Sequence, residues 1–112
     1  MTTFLYTTTS NTVGIKGTTR VASLLDRYEF TVTPTFDQDN RTLSFTAVDS
    51  HSSFDVFHDR SGDPSTRGFL EELAPFLTET LTIKCVETQG HGEATAFKWV
   101  VEPDGSVTLH QF

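Results

Sequence analysis

Apolar residues recur at every second position through several stretches of this chain. Tyr28, Phe30, Val32, Pro34 and Phe36 share one parity, while Glu29, Thr31, Thr33 and Thr35 share the other. Such alternation is the mark of a strand with one buried face. Pro34 cannot donate to a ladder, so it places an edge or a strand end there. After the polar run Asp37-Gln38-Asp39-Asn40, the residues Leu43, Phe45 and Ala47 alternate with Ser44 and Thr46. Two alternating runs joined by a polar turn predict a hairpin. Thr3 to Thr9 is also strand-prone, being rich in aromatic residues and threonine. Ser10 to Gly17 carries turn residues and reads as a loop, and Phe54 to His58 reads as a further strand.

Toward the C-terminus the pattern repeats. Leu81, Ile83 and Cys85 share a parity, as do Phe97, Trp99 and Val101, and Val107 with Leu109. Gln89 to Gly92 and Pro103-Asp104-Gly105 supply the turns between them. These three strands form a predicted meander.

Two segments change period. Phe69, Leu70, Leu73, Phe76 and Leu77 make a stripe at three- and four-residue spacing, and Asp63-Pro64 is a strong helix start. The spacing predicts a main helix over about 64–77, with Glu71 and Glu72 toward solvent. Pro75 removes one backbone bond and should make the last turn irregular. Val21, Leu24 and Leu25 predict a second, shorter helix over about 19–26, with Thr18 as its cap; a strand is the alternative there.

Strands joined by short turns pair antiparallel, and one helical stripe can cover one sheet face. The expected class is therefore α+β, two layers, with a mainly antiparallel sheet packed against one main helix. Phe30, Phe45, Phe97 and Trp99 are expected between the layers. A chain of 112 residues reads as a single domain, 1–112, and ten Phe with one Trp can build a core without disulfides or metal.

Composition narrows the function only a little. The chain holds one cysteine, Cys85, so no internal disulfide forms, and a cytoplasmic, reducing location is expected. No signal-peptide pattern stands at Met1 to Ser10, and no run nears the length of a membrane helix. Eight Lys and Arg stand against fifteen Asp and Glu, a net charge of −7. That balance disfavours nucleic acid and anionic lipid as partners.

The densest polar segment runs from Asp49 to Asp59. Its His51, Asp55 and His58 have the chemistry of a metal, ligand-binding or acid–base site. On a straight strand His51 and His58 would point to opposite faces, so they converge only across a bend at Ser52-Ser53. A solvated connection explains the same residues without any chemistry. His91 lies between Gly90 and Gly92 at a turn, where it could close over a ligand or simply face water. Asp37 to Asn40 opens like a calcium loop but has Thr42 and Val48 where the glycine and the last acidic ligand belong, which leaves a hairpin turn. Cys85 shares the parity of Leu81 and Ile83 and reads as a core residue rather than a nucleophile. Arg60, Arg67 and Lys98 would form an anion site only if the fold gathered them.

No phosphate-binding glycine motif, nucleophile elbow or zinc signature is present, and no cofactor is implied. Two function classes stand. The first is a non-catalytic protein-interaction or regulatory module that binds a protein partner or a second copy of itself as a homodimer. Its support is the aromatic surplus, including Phe4, Tyr6, Phe57 and Phe112, together with open strand edges. The second is a small enzyme or a ligand- or metal-binding domain using His51, Asp55, His58 and His91 in a sheet–helix cleft.

Overall fold

The computed structural model describes residues 4–27, 35–45, 47–49, 64–89 and 94–111. Its largest unit is a sheet built from β1 (Phe4–Ser10), β5 (Ala47–Asp49), β6 (Leu81–Gln89), β7 (Ala94–Val101) and β8 (Val107–Gln111). Its strand order is β5-β1-β6-β7-β8, and every neighbouring pair is antiparallel. The three C-terminal strands form the expected meander. The Pro103-Asp104-Gly105 turn closes with a bond from the Gly105 N–H to the Glu102 carbonyl at 3.0 Å.

A smaller three-stranded sheet joins β2 (Val13–Gly14), β4 (Thr42–Ser44) and β3 (Thr35–Asp37), in the order β2-β4-β3. Phe36 faces Leu43 across the β3–β4 pair, so the described part of the predicted hairpin is present. Its turn is tied by Asp37, whose Oδ1 accepts from the N–H groups of Asp39 and Asn40 at 3.0 and 3.1 Å. The carboxylate of Asp37 is thus committed to its own turn.

Two strand assignments depart from the sequence pattern. Leu43, Phe45 and Ala47 do not share one strand. The chain leaves the small sheet after Ser44, and Ala47–Asp49 joins the large sheet beside β1. The Phe45 N–H at this junction donates to Ser10 Oγ at 2.8 Å, which anchors the switch between sheets. Second, the expected loop before the first helix contains β2. Val13 and Ile15 are buried there, and Ile15 forms a bridge with Leu77.

The two helices fall where the periodicity put them. Helix α1 spans Thr18–Arg27 and α2 spans Pro64–Leu73, followed by a 3-10 turn, Ala74–Phe76. Pro75 lies in that turn, which is the irregular ending expected of a proline. The N-cap of α1 is Gly17 rather than Thr18. The N–H groups of Arg20 and Val21 both reach the Gly17 carbonyl, at 3.0 and 3.1 Å. Gly17 has φ +71°, a conformation that glycine takes without the cost a threonine would bear.

Helix α1 packs on α2, and α2 packs along β8. Val21 and Leu24 from α1, and Phe69, Leu70 and Leu73 from α2, meet Leu81, Ile83, Cys85, Phe97, Trp99 and Val101 from the large sheet. Phe45 and Phe69 meet edge to face, with centroids 6.4 Å apart. Phe45, Phe97 and Trp99 are therefore interlayer residues as expected, while Phe30 lies outside the described residues. The fold is α+β, with antiparallel sheet packed against helix. Among the described residues, no helix is long and apolar enough to cross a membrane.

Candidate functional site

The sequence candidates His51, Asp55, His58 and His91 all lie outside the described residues, as do Arg60, Phe57 and Phe112. Among the described residues, no three of His, Cys, Asp and Glu come together as metal ligands. Cys85 is fully buried on the inner face of β6, opposite Thr8 on one side and Phe97 on the other. Arg67 and Lys98 do not group. Arg67 lies over the Trp99 ring on the helix side of the sheet. Lys98 alternates with Phe97 and Trp99 and so faces the opposite side. Asp37 to Asn40 is a hairpin turn, not a cation loop.

A different place in the molecule has the shape of a site. A cleft of about 550 Å³ opens between α1 and the end of α2. Thr19, Arg20, Ser23, Leu24, Arg27, Glu72 and Phe76 line it. Its volume falls within the range of small-ligand pockets, roughly 300–1,000 Å³. Arg20, Ser23 and Arg27 are spaced i, i+3 and i+7, so they share one face of α1. Val21 points instead into the core, and Leu24, 5% exposed, forms the apolar floor between the two sides.

The wall contributed by the 3-10 turn is braced by backbone bonds. The Lys16 N–H donates to the Phe76 carbonyl at 2.8 Å, and the Thr78 N–H donates to the Gly14 carbonyl at 3.0 Å. These bonds strap the chain before α1 to the chain after α2. Phe76 lies against Gly17: a Cβ there would stand 3.1 Å from Phe76 Cδ1. Proline at 75 ends the regular helix, and glycine at 17 lets the Phe76 ring approach. Both therefore help to set the ring at the cleft wall.

Charge in the cleft is unevenly held. Arg27 Nη2 donates to Glu72 Oε1 at 2.6 Å, tying the helices across the cleft. The side chains are 60% and 46% exposed, so this pair adds only about 0–1 kcal/mol to stability. Arg20 is exposed, and among the described residues its guanidinium makes no hydrogen bond or ion pair. The lining thus combines one engaged cation, one available cation, one carboxylate, two hydroxyls and two apolar side chains.

None of this cleft stood out in the sequence. The i, i+3, i+7 spacing of Arg20, Ser23 and Arg27 was its one local signal, and it reads equally well as the solvent face of a short helix. Glu72 lies 45 residues from Arg27, and only the fold brings them together. The fold and cleft together define an α+β domain with a braced surface pocket of mixed polarity. Comparison of the chain with protein-family models, curated proteins and solved structures finds no match.

Proposed function

We propose that this domain is a non-catalytic interaction module that binds a protein partner, and that the cleft between α1 and α2 receives the partner's side chains. The observation that carries the reading is the cleft's composition: Arg20 and Phe76 stand beside the apolar floor of Leu24. Arginine and aromatic residues, phenylalanine among them, are enriched at protein interfaces relative to the rest of the surface. The backbone strap to Phe76 adds support, because a braced site loses less conformational entropy on binding. Net charge −7 argues against a nucleic-acid partner. Cys85, buried and the sole cysteine, suits a reducing, cytoplasmic setting.

Selection of peptides from a random library against the whole chain tests this reading. A parallel selection uses Ser23→Trp, which fills the cleft from an exposed helical position. Wild-type binders that lose at least tenfold affinity for Ser23→Trp support the cleft. Binders indifferent to that change place recognition elsewhere. Light scattering of the unliganded chain separates a foreign partner from a second copy, since a stable homodimer would make self-association the interaction to map.

A further inference from the structure

We infer that the cleft selects a carboxylate carried next to a bulky apolar group, with Arg20 as the residue that holds the carboxylate; this rests on the reading of the cleft as a recognition site. The charges in the lining lead to that chemistry. Arg27 is bonded to Glu72 at 2.6 Å, so its charge is largely answered within the site. Arg20 is not answered by any described residue, which leaves the lining with a surplus of about one positive charge at the Arg20 end. A monoanion balances that surplus. A phosphate dianion would overbalance it and would share the cleft with the Glu72 carboxylate.

Geometry sets the rest of the ligand. Arg27 lies seven positions after Arg20 along α1, a rise of about 10 Å. The Arg20 end and the Arg27–Glu72 pair are therefore distinct regions, with Ser23 and Leu24 between them. Thr19 precedes Arg20 and Ser23 stands three positions after it; both line the cleft and offer hydroxyl donors to an oxygen that Arg20 binds. Phe76 and Leu24 supply the apolar surface for the adjoining group. A planar guanidinium pairs with a carboxylate through two parallel bonds, so Arg20 also fixes the ligand's orientation. In a protein partner the matching feature is an acidic side chain or a terminal carboxylate beside an aromatic or large aliphatic residue.

The probes are N-acetylphenylalanine, its uncharged amide, and inorganic phosphate, each titrated into the ¹⁵N-labelled chain while amide shifts are followed. The expected result is saturable binding of the carboxylate at Arg20, Ser23, Leu24 and Phe76, at least tenfold tighter than the amide. Arg20→Gln should bring the carboxylate down to the level of the amide, with the rest of the spectrum unchanged. Arg20→Lys should recover part of the difference. Equal binding of carboxylate and amide overturns the inference, as does tighter binding of phosphate or an Arg20→Gln variant that binds normally. No saturable response to any probe also overturns it. In that case peptides whose binding depends on Ser23 would still uphold the cleft as a protein-binding site, so the two readings fail separately.

Discussion

The guanidinium carbon of Arg67 lies 5.7 Å from the centroid of the Trp99 ring, and its Nη1 donates to the Val107 carbonyl at 2.6 Å. One α2 side chain thus touches both β7 and β8. Trp99 is fully buried beneath it, between Ile83 and Leu109 in the register of the sheet. Trp99→Ala should cost about 3–5 kcal/mol in urea denaturation. Arg67→Met keeps most of the apolar stem but loses the carbonyl bond and the cation over the ring, and should cost about 1–2 kcal/mol. Equal losses for the two variants would mean that Trp99 contributes little beyond its contact with Arg67.

Asn11 holds together parts of the chain far apart in sequence. Its Nδ2 donates to the Thr80 carbonyl at 2.9 Å, and its Oδ1 accepts from the Thr82 N–H at 2.9 Å. The side chain thereby joins the β1–β2 connection to the start of β6. Asn11→Ala removes both bonds and should lower stability by about 1–2 kcal/mol. Hydrogen exchange at Thr82 should rise in the variant more than exchange at Trp99. Unchanged exchange at Thr82 would show that the clamp is dispensable.

Gly17 serves two purposes, and substitution should disturb both. Its φ of +71° costs an L-residue about 1–2 kcal/mol, and a Cβ would press on Phe76 at 3.1 Å. Gly17→Ala should therefore lower the melting temperature and shift the Phe76 ring signals in NMR spectra. Gly105, also at positive φ (+102°), has open space around its Cβ position. Gly105→Ala should show the backbone cost without any effect on Phe76.

Asp37 gives a pH dependence with a definite sign. Backbone and side-chain hydrogen bonds from Asn40 hold its carboxyl below the ordinary value of 3.8. A depressed folded-state pKa stabilises the fold above the unfolded value, and this contribution fades as pH falls from about 4 through the folded value. Between about pH 5 and 2, the wild type should lose stability more steeply than Asp37→Asn. Asp104, lowered in the same way by Ser106, is a second turn carboxylate on which the comparison can be repeated. Identical slopes for wild type and Asp37→Asn would dismiss the turn as a source of acid sensitivity.

Much of the fold was legible because it rests on local repeats. The parity of Phe97, Trp99 and Val101 located their inward face, and the stripe from Phe69 to Leu77 located the helix with its proline-broken end. What stayed hidden depends on choices between distant partners. Alternation continues through Leu43, Phe45 and Ala47, yet the chain changes sheets at Phe45, because Ser10 and β1 offer bonding partners that no local pattern records. The need for glycine at position 17 was hidden for a similar reason: Phe76, far along the chain, leaves little room for a side chain there. The candidate site was less legible still. The histidine-rich segment drew attention through composition, whereas the cleft depends on Arg20 and Arg27 meeting Glu72 and Phe76 across a helix pair.

Amide-shift mapping of the whole chain with the tightest library-selected peptide tests the central claim most directly. The expected result is a cluster of perturbed amides along Thr19 to Arg27 and at Glu72 to Phe76, lost in Ser23→Trp. Shifts confined to the outer sheet face around Lys84, Lys98 and His110, or to the segment from His51 to His58, with the cleft unmoved, would contradict it.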